Sequence, residues 1–438
     1  MPKILKSLVV LLALPLVLVG CKVNSINYFP PKPAHIRVVN VLGTTTPIDV
    51  VANGVTVWSG LGFEAMTPYV DFENVTTKIQ IRLTGSGNIL VEQSYNPAGD
   101  QNYTLVVFGS TLVPSLGVMA DVTQAPPSGK FALNVYNAAP IGNGAAVGTI
   151  SVDLYLTAPG VPIETASPTF TYIAFGVGNI FGQYDSGQYQ LRLTVAGTKV
   201  IVYDSGTLTF NAQTATDLIM YSRGSAILPN VLLNDSDGAG LQRIANSLLA
   251  RIKVVNGAFQ TGPVDQLLND KAIVSNLAYN TASLYNLIPA GAGTVTFQAT
   301  AAPGATIATL ANTFAGATDQ TVFITGSAGS TKAVALLDNN LPPGSSAAAI
   351  RYVNASPDAG VLDAYANDVL QAPSIATNTA SLYVGTLGGS YALTFKDHAT
   401  GLPVLALPGI GFSAGQTYSV YVLGPAGTLV GLATADTP

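Results

Sequence analysis

One pattern written four times constrains this chain more than any other feature. Four segments open alike: Ile36-Arg37-Val38-Val39-Asn40, Leu133-Asn134-Val135-Tyr136-Asn137, Ile252-Lys253-Val254-Val255-Asn256 and Ile350-Arg351-Tyr352-Val353-Asn354. An aspartate follows in each copy (Asp49, Asp153, Asp265, Asp363), at the same interval from the asparagine in the first, third and fourth. In the second copy a Gly/Ala-rich insert around Gly142 to Gly148 lengthens that interval. Tyr69, Tyr285 and Tyr383 then stand at one common distance from their aspartates, and Phe181 takes the place in the second copy. Each copy nears its end with an aliphatic run closing on Gly109, Gly224, Gly326 or Gly424, followed by an acid or amide at Asp121, Asn234, Asp338 or Asp436. The copies recur at about 100 residues, well beyond the roughly 20–50 of solenoid repeats, so they are expected to be separate beads.

Within each copy the hydrophobic period is two. Ile79, Ile81 and Leu83 alternate with Gln80 and Arg82, and Tyr189, Leu191, Leu193 and Val195 alternate with Gln190, Arg192 and Thr194. One oily and one polar face is the mark of half-buried antiparallel strands. Short strands between turns such as Asn53-Gly54 suggest seven or eight strands per copy, most economically two sheets face to face. The expected fold is all-β: four tandem Ig-like antiparallel β-sandwich domains at 35–124, 130–237, 251–340 and 347–438. Pro/Gly clusters at Ala125-Pro126-Pro127-Ser128-Gly129 and Leu341-Pro342-Pro343-Gly344-Ser345 mark semi-rigid joints. Between copies two and three, Leu241, Ile244 and Leu248 fall on one face of a helical repeat, so 238–250 is expected to be a short helical connector.

The N-terminus carries an address. Lys3 and Lys6, an apolar stretch from Leu8 to Val19, and Leu18-Val19-Gly20-Cys21 form a signal peptide over residues 1–20, too short in its apolar part to span a bilayer. Its last four residues resemble the bacterial lipobox, which makes Cys21 the expected lipid attachment site and 21–34 a tether. At about 0.8 kcal/mol per buried methylene, several acyl chains such as palmitate hold a protein firmly to the membrane. Lys22 rather than an acid after the cysteine leans toward the outer membrane. Cys21 is the single cysteine, so an internal disulfide is impossible and the cores must stabilise the modules. Charged residues are only 9%, against roughly 25% in ordinary soluble proteins. No basic stripe exists, so a nucleic-acid partner has no electrostatic footing.

Arg351-Tyr352-Val353-Asn354-Ala355-Ser356-Pro357-Asp358, then Leu362-Asp363-Ala364-Tyr365, then Gly415-Gln416-Thr417-Tyr418 and Gly424 resemble the DUF4397 domain family of bacterial surface and secreted proteins. The resemblance covers nearly all of the chain after about residue 34 and is strongest in the fourth copy. It implies an Ig-like sandwich and an envelope location. It brings no catalytic residues, and the family's name records an undefined function.

Chemistry is sparse. Gly411-Phe412-Ser413-Ala414-Gly415 matches the nucleophile elbow by letter, but a strand rather than a helix is expected after it, so it reads as a turn. His35 and His398 are the only histidines. No catalytic residue, cofactor or transition-metal site is therefore expected. Asp235 with Asp237, and Asp358 with Asp363, are thin calcium candidates that read equally well as turn formers. The recurring aspartates read as carboxylates pinning a neighbouring loop. The recurring tyrosines read as core or corner residues with the hydroxyl bonded to backbone. Trp58 reads as a strand residue. The expected function is that of a non-enzymatic envelope lipoprotein with a structural, adhesive or partner-binding role toward a protein or polysaccharide. A glycan-binding accessory lipoprotein is the alternative, and a hydrolase a more distant one.

Overall fold

A computed structural model of the chain describes residues 32–139, 151–222, 229–235, 240–344 and 346–436. The signal peptide and Cys21 lie outside the described residues, as do Gly224 and Asp237. Everything regular in the described residues is strand.

The first copy builds two sheets. One contains β1 (Ala34–Asn40), β4 (Ala65–Met66), β5 (Val70–Phe72), β8 (Asn102–Gly109) and β9 (Pro114–Ala120). The other runs in the order β3 (Val55–Leu61), β2 (Ile48–Ala52), β6 (Thr77–Leu83), β7 (Ile89–Tyr95). The alternation seen in the sequence sets the packing: Ile79, Ile81 and Leu83 of β6 meet Ile36, Val38, Leu105 and Val107 of the opposite sheet. The third copy (β19 Leu249–Phe259 to β27 Ser330–Asp338) and the fourth (β28 Ala347–Asn354 to β36 Val430–Ala435) repeat this topology strand for strand. The second (β10 Lys130–Asn137 to β18 Gly240–Ile244) varies it at the edges. Each copy has its own core.

Four features differ from the sequence expectation. Among the described residues each copy has nine strands instead of seven or eight, because one edge strand breaks into two pieces (β4 and β5 in the first copy) or, in the second, because β18 is added. The sandwiches are not wholly antiparallel: the opening strand of every copy pairs in parallel with the strand that begins its closing hairpin. Thus β1 pairs with β8, β10 with β16 (Ala215–Ser222), β19 with β26 (Asp319–Ser327) and β28 with β35 (Thr417–Leu423).

The expected helical connector is strand. Gly240–Ile244 adds to β17 (Pro229–Asp235) as an edge, and Leu249 already begins β19. Leu241 and Ile244 are three residues apart, so a strand turns them to opposite faces. Both faces here are covered: Ile244 packs on the second core, and Leu241 packs against the first copy. An edge partly covered on both faces imitates helical spacing over so short a stretch.

The sandwiches are also not free beads. Val39, Val41, Val106 and Phe108 of the first copy pack on Tyr136, Ile219, Tyr221 and Leu232 of the second. Val255 and Phe323 of the third pack on Val353, Ala355, Tyr421 and Leu423 of the fourth. The copies therefore associate in two face-to-face pairs through the sheets that contain the parallel pairing. The fit is close: a Cβ on Gly117 would stand 1.8 Å from the Tyr136 hydroxyl, and one on Gly257 would stand 2.7 Å from Leu423.

Candidate functional site

The recurring asparagines end the opening strand in three copies, lie three residues before its end in the third, and are almost wholly buried. Each stitches the two sheets together. The Asn40 side chain accepts from Leu42 N at 3.0 Å and donates to Leu61 O at 2.9 Å. Asn137, Asn256 and Asn354 do the same with Ala139 and Ile173, Ala258 and Leu277, and Ser356 and Ile375. A buried side chain that satisfies one strand end and the facing sheet fixes how the chain crosses between layers.

The recurring aspartates have one common task. Asp49 accepts from Gly60 N (2.9 Å), Asp153 from Tyr172 N (2.8 Å), Asp265 from Asn276 N (2.7 Å) and Asp363 from Ser374 N (2.8 Å). All four donors have left-handed backbone, with φ between 53° and 71°, and each marks a bulge in the strand beside the aspartate. A second donor ties a neighbouring loop to the same carboxylate: Thr84 Oγ1 (2.7 Å), Gly197 N (2.8 Å), Thr300 Oγ1 (2.7 Å) or His398 Nδ1 (2.8 Å). Burial works against the Asp49 charge, but Thr84, Ser59 and the Gly60 amide hold its pKa below the ordinary value. The loop-pinning expectation is met, with the bulge as its object.

The tyrosines depart from expectation. Their hydroxyls reach carboxylates, not backbone: Tyr69 to Asp121 (2.5 Å), Tyr285 to Asp338 (2.5 Å) and Tyr383 to Asp436 (2.6 Å). A cation covers each ring, with Arg37, Arg251 and Arg351 at 4.6, 4.8 and 5.1 Å from the centroids. Burial pushes all three phenols far above their ordinary pKa, so they remain donors. Phe181 occupies the equivalent register position opposite Asn134.

These residues meet at the joints between copies. Between the third and fourth, Lys253 pairs with Asp436, and its counterpart Arg351 pairs with Asp338 at 2.6 Å. The exchange is reciprocal, as about a two-fold axis. Arg251 adds a bond to Asp319 (Nε to Oδ1, 2.7 Å). Burial opposes the Lys253 charge, but Tyr421, Asp436 and Asp338 outweigh it and raise its pKa. Burial likewise opposes the Asp436 charge, but Lys253 and Arg351 outweigh it and lower its pKa. Between the first and second copies, Arg37 Nη2 reaches Asp217 at 2.6 Å and Asp121 at 3.5 Å. Arg243, on the strand expected to be a helix, reaches Glu64 of the first copy at 3.4 Å.

The remaining candidates fall singly. Ser413 lies between β34 (Pro403–Phe412) and β35, a strand-to-strand turn, and its amide donates to the Tyr418 hydroxyl at 3.0 Å. Sequence reading missed one constellation, Asp363–His398–Ser374, because its members are close only in space. Ser374 Oγ stands 3.3 Å from His398 Nε2 and 3.5 Å from Nδ1. A hydroxyl on the Nε2 lone-pair axis would be about 5 Å from Nδ1, so the ring is not aligned for proton transfer from this serine. Asp358 accepts from Ala426 N at 2.8 Å, and Asp235 accepts from Thr216 Oγ1. Among the described residues no group of three or more His, Cys, Asp or Glu side chains could hold a metal ion. Trp58 stacks on Phe72 at 6.0 Å within the first sandwich.

A family model for DUF4397, a domain of unknown function, matches residues 34–148, 250–365 and 348–438. The chain belongs to the DUF4397 family. The matches fall on the first, third and fourth copies. The second DUF4397-like unit is joined to them by its fold: β10 and β16 pair in the same parallel register, with Asn134 opposite Asp217 where Arg37 stands opposite Thr104. No curated protein matches the chain. Among solved structures, the Bacillus anthracis TIE protein is similar at 9% identity, over 86% of this chain and 65% of that one, with a TM-score of 0.15. The chain thus spans less than two thirds of that structure's length.

Proposed function

We propose that this DUF4397 protein is a non-enzymatic cell-envelope lipoprotein, tethered through Cys21 to the outer membrane, whose paired sandwiches serve as a structural or adhesive stalk. One observation supports this reading above others. The residues that recur across the copies (asparagine, aspartate, tyrosine and its covering cation) are engaged in holding sheets, bulges and joints, which leaves, among the described residues, no repeated polar set directed at a small substrate. A four-module chain of low charge suits weak contacts multiplied by avidity. A glycan-binding reading would need aromatic rings free to stack on sugars, and the recurring Tyr285 and Tyr383 are instead taken up at the joint.

The decisive experiment is metabolic labelling with an alkyne-bearing fatty acid. The wild-type chain is expected to take up label and sediment with membranes, and Cys21→Ser is expected to lose both. An unlabelled wild-type chain would remove the tether from the proposal. A glycan array probed with the fragment from residue 25 onward checks the role: saturable sugar binding would replace the stalk with the glycan-binding reading.

A further inference from the structure

The two joints use the same positions with different charge balance. At the joint between the third and fourth copies, Lys253, Arg351 and Arg251 stand against Asp436, Asp338 and Asp319, cation for carboxylate. At the joint between the first and second, Asn134 stands where the third copy has Lys253, and Asp217 stands where the third has Thr321. A cation has been removed while two carboxylates remain: Asp121 stands where the third copy has Asp338, and Asp217 is the second acid where the other joint has Asp436. Arg37 is left between two acids, its Nη2 within 2.6 Å of Asp217 and 3.5 Å of Asp121.

The other groups facing this cluster do not restore the balance. From β1, His35 is tied to Asp71 at the surface. From β8, Thr104 accepts from Arg37 Nε and donates to Asp121. Tyr69, ahead of β5, donates to Asp121. From β10, Asn134 donates to Asp217 at 3.2 Å, while Lys130 is engaged with Asp185 in an exposed pair. From β17, the Asn234 amide oxygen, in the orientation its neighbours require, accepts from Arg37 Nη1 at 2.9 Å, and Asp235 is bonded to Thr216. From β18, Arg243 is matched by Glu64. Among the described residues the cluster therefore buries one cation with two carboxyl groups. Two like charges sharing one counter-ion away from water cannot both ionise cheaply.

We propose that the joint between the first and second sandwiches is a proton-dependent latch, in which Asp121 and Asp217 share Arg37 and retain one proton when the joint is closed. Deprotonation leaves a net negative charge in the buried seam and favours separation of the two sandwiches. The joint of the third and fourth copies has no such excess and stays closed.

Burial first, and the Asp121 charge second, push Asp217 up to about 7 from its ordinary 3.8; burial also raises Asp121. A carboxyl group raised in the closed state contributes stability that is complete below about 3.8 and is lost as pH rises toward about 7. Across that window the opening equilibrium should rise by up to about tenfold per pH unit, then level off.

Hydrogen exchange on the full chain, corrected for intrinsic rates, reads this directly. Amides of β1, β8, β10 and β16 are expected to lose protection between pH 5 and pH 8, while those of β19, β26, β28 and β35 keep theirs. Asp217→Asn should hold the joint closed at both pH values. Asn134→Lys supplies the missing cation and should also abolish the dependence, with both carboxylates ionised. Infrared spectra should show one protonated carboxyl lost across the same interval in the wild type and absent in both variants. Protection of the first two copies that is independent of pH, or a dependence that persists in Asn134→Lys, would overturn the latch.

Discussion

Replacing Lys253 by methionine tests whether the reciprocal ion pairs hold the third and fourth sandwiches together. Lys253 is 1% exposed and Asp436 is fully buried. Truncating the cation leaves that carboxylate with Arg351 Nε at 3.7 Å and hydroxyl donors from Ser419 and Tyr383. Breaking a buried pair from one side costs about 3–5 kcal/mol, and the remaining donors place this case near 3. For a cooperative body of this size each kcal/mol moves the melting point by roughly 2–4 °C, so a fall of about 6–12 °C is expected. Calorimetry of the full chain should show it in the transition of the second pair alone. Lys253→Met combined with Asp436→Leu removes both charges and should recover stability to within about 1 kcal/mol of the wild type. The acid limb supplies a second check. The Asp436 pKa lies below its ordinary 3.8, so its stabilisation is present above that value and lost on acidification; the single variant should flatten this loss. A single substitution costing under about 1 kcal/mol, or a double variant less stable than the single, would refute the reasoning.

Other expectations concern the residues that repeat. Asp153→Ala strands the amides of Tyr172 and Gly197 and should lower stability by about 2–4 kcal/mol in urea titrations; a change below about half a kcal/mol would show that the bulge stands without its pin. Asn256→Ala removes the link between Ala258 and Leu277 and should cost about 1–3 kcal/mol by the same assay. Gly326→Ala places a Cβ 2.1 Å from Ser330 O at φ 102°, so it should lower the melting point more than Gly329→Ala, which meets nothing within 4 Å at φ 87°. Equal effects would mean that left-handed strain alone governs both.

Much of the fold was legible because strands such as β6 and β29 (Leu362–Ala366) face a core on one side and are more open on the other. Their alternation names both the period and the inward residues. The joints were harder to read because they replace alternation with continuous burial. The runs Leu105-Val106-Val107-Phe108 and Leu218-Ile219-Met220-Tyr221 are buried at every residue, half of them in a core and half against a neighbouring copy. Such runs signal strands covered on both faces, and they were visible as the aliphatic stretch closing each copy. The closing glycine also has a physical reason: Gly109, Gly326 and Gly424 all take positive φ beside the returning hairpin strand. At the candidate site, the pinning role of the aspartates could be read from their recurrence. The carboxylate partners of the tyrosines could not, because they lie some fifty positions away and meet only after the sheet closes. The helix at 238–250 failed because i, i+3 spacing is ambiguous over five residues.

The swapped partners at the second joint make one sandwich the mirror of its neighbour's needs: Lys253 finds on the fourth copy the acid whose equivalent Arg351 finds on the third. A surface that complements itself in this way is never satisfied by an odd count. A lone module of this kind, or a third one spliced into such a chain, would present an oily, charged facet with nothing across from it. It would then seek the matching facet on another molecule. An even number of such units can pair every facet within one chain, whereas an odd number leaves one facet uncovered.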